Sequence, residues 1–263
     1  LRYFLELSYR GTNYSGWQTQ HGKPTIQSVV EKNISTFLNE KIEVIGCGRT
    51  DTGVHASQFF LHFDIEKNLP ESFLHRLNRM LPDDIAFHRI IPVDAKAHSR
   101  YQADSRTYQY HIHFKKNPFL AISSYYFPFQ KLDLEVIKKA TALLKDYKDF
   151  DPLCKTGSNI NHTLCDVFEA KWVEKNRTQW IFEITANRFL RGMVRRIVGV
   201  MLAIGSGKMT IDEFKQVMKN KKQFRVALSA PPQGLFLTAV RYPYGLAPEP
   251  SPKEREERNS DLK

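Results

Sequence analysis

Cysteine is scarce: Cys47, Cys154 and Cys165 are the only three in 263 residues. So odd and sparse a set excludes the disulfide framework of a small secreted domain and fits a reducing cytoplasm. A metal is the other use of such residues, and Cys154, His162 and Cys165 lie close together. Their spacing follows no zinc pattern, however, and a fourth ligand is missing. Buried thiols are the simpler reading. Glycine and proline number only 13 each, which excludes collagen-like repeats and low-complexity character. Long apolar runs are also absent. The longest, Ile197 to Ile204, is broken by Gly199 and falls well short of the roughly 20 residues that cross a bilayer. No membrane span is expected. The chain starts at Leu1 rather than Met, so its true start is expected upstream; nothing present has the pattern of a signal peptide.

Acidic residues are outnumbered, 28 Asp+Glu against 39 Lys+Arg, for a formal charge of +11. From Ala247 onward the chain carries three prolines, four basic and five acidic residues, so the body alone stands at +12. Such a tail is expected to be a solvated, poorly ordered extension. A body this basic calls for a polyanionic partner, with nucleic acid ahead of an acidic membrane surface.

Apolar periodicity places the elements. Residues 1–9 alternate, with Leu1, Tyr3, Leu5, Leu7 and Tyr9 on one face, as in a half-buried strand. Behind Pro24 and Thr25, Ile26, Val29, Val30, Ile34, Phe37 and Leu38 form a helical stripe. Strands are expected over 41–47 and 57–63, with a helix over about 71–81 ending at Pro82. The cleanest alternation runs from Arg106 to Phe114, where Tyr108, Tyr110, Ile112 and Phe114 share a face. Asp133 reads as a helix cap, strands follow over 166–173 and 179–186, and a helix is expected over about 189–204. Thr210 and Glu213 form a capping box for one more helix, and a last strand covers 234–241. Strands and helices mix without the regular alternation of a parallel sheet. The fold class is therefore α+β with mainly antiparallel sheets, in two similar sheet-and-helix subdomains, 1–104 and 105–245, followed by the tail 246–263.

Two groups of residues could carry chemistry. The loop Gly48-Arg49-Thr50-Asp51-Thr52-Gly53 places a carboxylate beside an arginine between two glycines, at a strand junction. On local pattern alone, Asp51 and Thr50 could equally cap a turn. Arg188, Arg191 and Arg195 recur at helical spacing, which would stack them on one face as a phosphate track or as an ordinary solvated stripe. Two nucleotide motifs fail on inspection. Gly46-Cys-Gly48 lacks the third glycine and following helix of a dinucleotide fingerprint. Around Gly205-Ser-Gly207-Lys208, Leu202 and Met209 replace residues that a phosphate loop requires.

The segment Gly48-Arg-Thr-Asp51-Thr-Gly-Val-His-Ala56 resembles the active-site motif of TruA-type tRNA pseudouridine synthases. Further blocks follow in the family's order: Tyr9 to Gln18, Leu77 to Ile85, His98 to Tyr110, Asn187 to Gly199 and Ala230 to Leu237. The likeness covers everything but the tail. One departure is Arg10, where the family usually has Asp; an effect on RNA contacts near Trp17 is expected.

The resemblance implies the pseudouridine synthase fold, with its two subdomains meeting at a basic cleft. It also implies isomerisation of uridine to pseudouridine at positions 38 to 40 of the tRNA anticodon stem-loop, by a cytoplasmic homodimer without metal or cofactor. Asp51 would be the catalytic carboxylate and Arg195 its cationic partner. Tyr108, otherwise readable as a core aromatic, would stack on the target base. Arg49, Arg188 and Arg191 would hold RNA, with Trp17, Lys115 and Lys116 lining the track and Leu235 packing beside the pocket. A noncatalytic RNA-binding protein and a synthase for another RNA are the competing readings.

Overall fold

The computed structural model describes residues 1–128, 132–155, 162–222, 224 and 229–244. The tail, 246–263, lies outside them. In chain order the elements are β1 (Arg2–Tyr9), α1 (Ile26–Leu38), β2 (Ile45–Gly46), β3 (His55–Asp64), α2 (Phe73–Asn78) and β4 (Ile85–Val93) in the first half. The second half holds β5 (Ser105–His113), β6 (Tyr125–Tyr126), α3 (Leu134–Ala142), β7 (Val167–Asn176), β8 (Gln179–Ala186), α4 (Met193–Gly205), α5 (Ile211–Lys219) and β9 (Leu235–Arg241).

Among the described residues the strands form one sheet in the order β4-β1-β3-β9-β5-β8-β7, with β2 on β3 and β6 on β5. Its pairings are antiparallel except β3 with β9 and β5 with β6. The fold is thus α+β and mostly antiparallel. Each half is organised around its first strand: β1 lies between β3 and β4, and β5 lies between β8 and β9.

The seam between the halves is short. Strand β9 meets β3 only at His55 with Phe236 and Ala56 with Leu237. Beyond that point a side chain continues the join: the Gln58 amide oxygen accepts the Val240 N–H at 2.9 Å, while its nitrogen donates to Glu6 at 2.8 Å. Two hydrophobic cores flank the seam. One gathers α1, α2, β1 and β3 together with Leu237, Val240 and Tyr242; the other gathers α3, α4, α5, β5 and β8 together with Val54 and Leu235. Chain passes from one half to the other at 104/105, yet β9 and Val54 contribute across that line.

Local chemistry explains where three of the helices start. The Thr25 hydroxyl accepts the Ser28 N–H and the Ser28 side chain returns the contact, a capping box for α1. Thr210 and Glu213 do the same for α5, and Asp133 caps α3. Three expectations are corrected, and one strand is added. Residues 41–44 join no strand and bond instead to side chains of α1, so the strand expected over 41–47 shrinks to β2. Strand β1 is not half-buried, because Phe4 and Glu6 on its second face are covered as well. Strand β4 was not expected at all. Its alternation slips where the register shifts between Glu6 and Leu7 of β1, and Pro92 is tolerated because β4 is an edge strand. Finally, α4 begins at Met193, after Gly192 in a left-handed conformation (φ 70°), so Arg188 and Arg191 precede the helix and form no stripe with Arg195.

Candidate active site

The Asp51 loop is a tight turn wedged against a glycine. Val54 N–H donates to Asp51 O at 3.1 Å, closing four residues with Gly53 at φ 77°, a value suited to glycine at the turn's third position. Behind it runs Gly16 at φ 87°; a Cβ there would stand 2.4 Å from Thr50 O and 3.1 Å from the Asp51 carbonyl carbon. Only glycine lets the two segments approach this closely. Trp17 N–H donates to Thr50 O at 3.2 Å, and the Thr50 hydroxyl shares a 2.9 Å bond with buried Tyr9. The loop backbone is therefore fixed on the protein side, and the Asp51 carboxylate is turned outward with 30% of its side chain exposed.

Arg195 reaches that carboxylate from α4. Its Nη1 lies 3.6 Å from Asp51 Oδ2, and its Nε donates to Ala230 O at 2.6 Å. Ala230 N–H in turn donates to Arg195 O at 3.0 Å, so the arginine is held at both ends. Tyr108, on β5, packs against both cores and meets Phe189 edge-on, with ring centroids 5.0 Å apart at 86°. Burial pushes its phenol well above the usual range, and the nearby thiol of Cys47 and the Asp51 charge add to the rise while Arg106 opposes it. Tyr108 is a neutral phenol at physiological pH.

Arg106 is the residue that sequence reasoning missed. Its Nη1 donates to Ala103 O at 3.1 Å and Asn187 O at 2.9 Å, and its Nη2 to Cys47 O at 3.0 Å and Arg100 O at 2.6 Å. One guanidinium thereby ties the connection between the halves to the lead-in of the Asp51 loop and to the segment before α4. A signal was present in the alternation. Arg106 shares a face with Tyr108 and Tyr110, and a cation on an apolar face has to find partners.

The remaining expected residues divide. Arg49 and Arg191 are exposed. Arg188 is half-buried and its Nη1 donates to His162 Nε2 at 2.9 Å. Leu235 is buried where β9 starts, opposite Tyr110, and just ahead of it Pro232 abuts Gly53. Trp17 is corrected: it is 2% exposed, stacked on Phe59 at 4.1 Å with Gly46 against its edge, and supports the loop from the core with no surface for RNA. Arg10 is exposed beside the Asp84 backbone, and the expected effect through Trp17 has no surface to act on. Lys115 and Lys116 are exposed but follow the far end of β5, roughly 20 Å along the strand from Tyr108. They are not part of this constellation. The three cysteines are free and buried, and the described residues contain no group of His, Cys, Asp or Glu arranged to hold a metal ion.

A carboxylate paired with a guanidinium beside a neutral phenol is equipment for acid–base or nucleophilic chemistry. Comparison with known proteins specifies the family. The family model described as tRNA pseudouridine synthase matches residues 7–102 and 143–243, and the chain belongs to that family of isomerases. Asp51 and Arg195 lie inside the matched stretches; Arg106 and Tyr108 lie between them. The chain is 42% identical over 252 residues to tRNA pseudouridine synthase A of Porphyromonas gingivalis, covering 93% of this chain and 98% of the relative. The same-named protein of Bacteroides thetaiotaomicron is 41% identical over 255 residues, covering 96% and 94%. That of Gloeobacter violaceus is 36% identical over 245 residues, covering 92% and 80%. No helix among the described residues is long and apolar enough to cross a membrane.

Proposed function

We propose that the protein isomerises uridine to pseudouridine at positions 38 to 40 of the tRNA anticodon stem-loop, with Asp51 as the catalytic carboxylate. The reaction breaks the bond from ribose C1′ to uracil N1, turns the base, and joins C1′ to C5. The C5 proton leaves and N1 gains one, so atoms and charge balance with no oxidant and no acceptor. Asp51 acts either as nucleophile or as the base that takes a sugar proton. The observation that carries this reading is the Arg195–Asp51 pair, 3.6 Å apart at the seam of the two halves. A carboxylate closed off from water by a bound nucleotide needs an opposite charge within reach, and the guanidinium supplies it.

Tyr108 contributes as a neutral phenol. Its ring is a stacking face for the turned uracil. It can accept the C5 proton only while passing its own onward, and Asp51 is the anion it feels. Extracting the uridine from its stack costs a few kcal/mol, which contacts from Arg49, Arg188 and Arg191 to the phosphates offset. The two subdomains, 1–104 and 105–245, form the walls of this basic cleft. Lys115 and Lys116 would meet only RNA that extends along the sheet. A homodimer in the cytoplasm completes the reading, in keeping with three free thiols. Mapping pseudouridines in tRNA from a strain lacking the gene tests the assignment: uridine at positions 38 to 40 is expected, and unchanged pseudouridine there contradicts it.

A further inference from the structure

We infer that Tyr101, with Arg100 against it, is a built platform for an unpaired nucleotide of the RNA substrate, beside the Asp51 loop. The inference rests on the synthase reading above and extends it to a surface with no assigned role. Tyr101 is 75% exposed. One exposed aromatic is ordinary; a rigid loop constructed around it is less so. His98 Nδ1 accepts the N–H of Arg100 at 3.1 Å and of Tyr101 at 3.3 Å. Gln102 Oε1 accepts the His98 N–H at 2.7 Å and the Tyr244 hydroxyl at 2.6 Å. Tyr242 donates to Ser99 O at 2.6 Å, and Arg106 holds Arg100 O. With the backbone so fixed, the ring is flanked by the His98 imidazole, centroids 4.3 Å apart, and by the Arg100 guanidinium 5.5 Å from its centroid. Most of its surface is left to solvent.

Position decides what the platform serves. Ser99 Oγ donates to Ile45 O at 2.8 Å, and the same Arg106 Nη2 bridges Arg100 O and Cys47 O. Strand β2 and Cys47 lead straight into the loop that carries Asp51, at most about 14 Å of chain away from Cys47. RNA with a uridine at Asp51 therefore passes Tyr101 within a few nucleotides. An aromatic face takes any base, and an adjacent guanidinium takes its phosphate. A paired duplex offers no free base face, so the partner is a single-stranded, splayed nucleotide.

Equilibrium binding of an unmodified tRNA transcript, and of a fully paired RNA duplex of the same length, tests this in wild type, Tyr101→Ala and Tyr101→Trp. Tyr101→Ala is expected to weaken tRNA binding about tenfold and duplex binding less than about twofold, whereas Tyr101→Trp retains affinity for both. Arg100→Met should reduce the slope of log affinity against log salt by about one. Unchanged tRNA affinity in Tyr101→Ala, or an equal loss toward both RNAs, overturns the platform. These readouts need no turnover. A wild-type protein that bound tRNA but left its uridines unchanged would refute the synthase reading and leave the platform standing.

Discussion

Arg195 holds Asp51 from a helix in the other half of the chain, with Nη1 3.6 Å from Oδ2 and Nε fixed on Ala230 O. The charge facing Asp51 is thus set across the seam of the sheet. Replacing Arg195 with Met should lower the single-turnover rate about a hundredfold or more while tRNA affinity changes by less than about threefold. Matched losses in rate and affinity would make Arg195 a phosphate clamp.

Arg106 fixes the same geometry through backbone carbonyls. Lysine offers a point charge with three donors in place of a planar fork, so it cannot reproduce four directed bonds. Arg106→Lys is expected to lose about tenfold or more in kcat, because small misplacement of reacting groups is costly. KM for tRNA should stay close to wild type. A loss confined to KM would place Arg106 in RNA binding instead.

Gly16 presses on the Asp51 loop where no Cβ fits. Gly16→Ala combines a clash with Thr50 O and a left-handed φ, and is expected to cost about 2 kcal/mol of stability. Turnover should fall at temperatures where the variant remains folded. A thermal melt and a rate at 25 °C together check this; wild-type values in both would show that the loop yields freely.

Acid sensitivity follows from two histidines, His62 buried and His111 half-buried. Burial pushes His62 down to about 4, with the Arg2 charge and His98 lowering it further, and burial likewise takes His111 to about 4. Between about 6.5 and 4 the unfolded chain binds protons that the folded one refuses, so stability is fully present above 6.5 and is lost as pH falls toward 4. Each such histidine adds a slope of about 1.4 kcal/mol per pH unit within that window. Denaturation across pH 4 to 7 measures it. In His62→Gln the slope should be shallower by close to one proton; an identical slope would contradict the assignment.

Much of this was legible in the sequence, for physical reasons that differ by element. Alternation in 106–114 and helical stripes behind Thr25, Asp133 and Thr210 are local signals, and those elements stand where the periodicity puts them. Strand β4 escaped because a bulge in its pairing with β1 resets the alternation and an edge position tolerates Pro92. The start of α4 was misplaced because the spacing of Arg188, Arg191 and Arg195 is helical by count, while Gly192 interrupts the backbone. In the site, the Asp51 loop was visible as a polar run between glycines. The burial of Trp17 against Phe59, and the Cys47 and Asn187 carbonyls on Arg106, depend on contacts between distant parts of the chain, which no local pattern reports.

Release of tritium from tRNA carrying C5-labelled uridine, in wild type and Asp51→Asn, bears most directly on the central claim. The substitution keeps the shape and removes the charge. Wild type should release tritium from the anticodon stem-loop, and Asp51→Asn should be slower by at least about a hundredfold while binding tRNA comparably. Equal release by both proteins would contradict Asp51 as the catalytic carboxylate, and no release by wild type would contradict the enzyme itself.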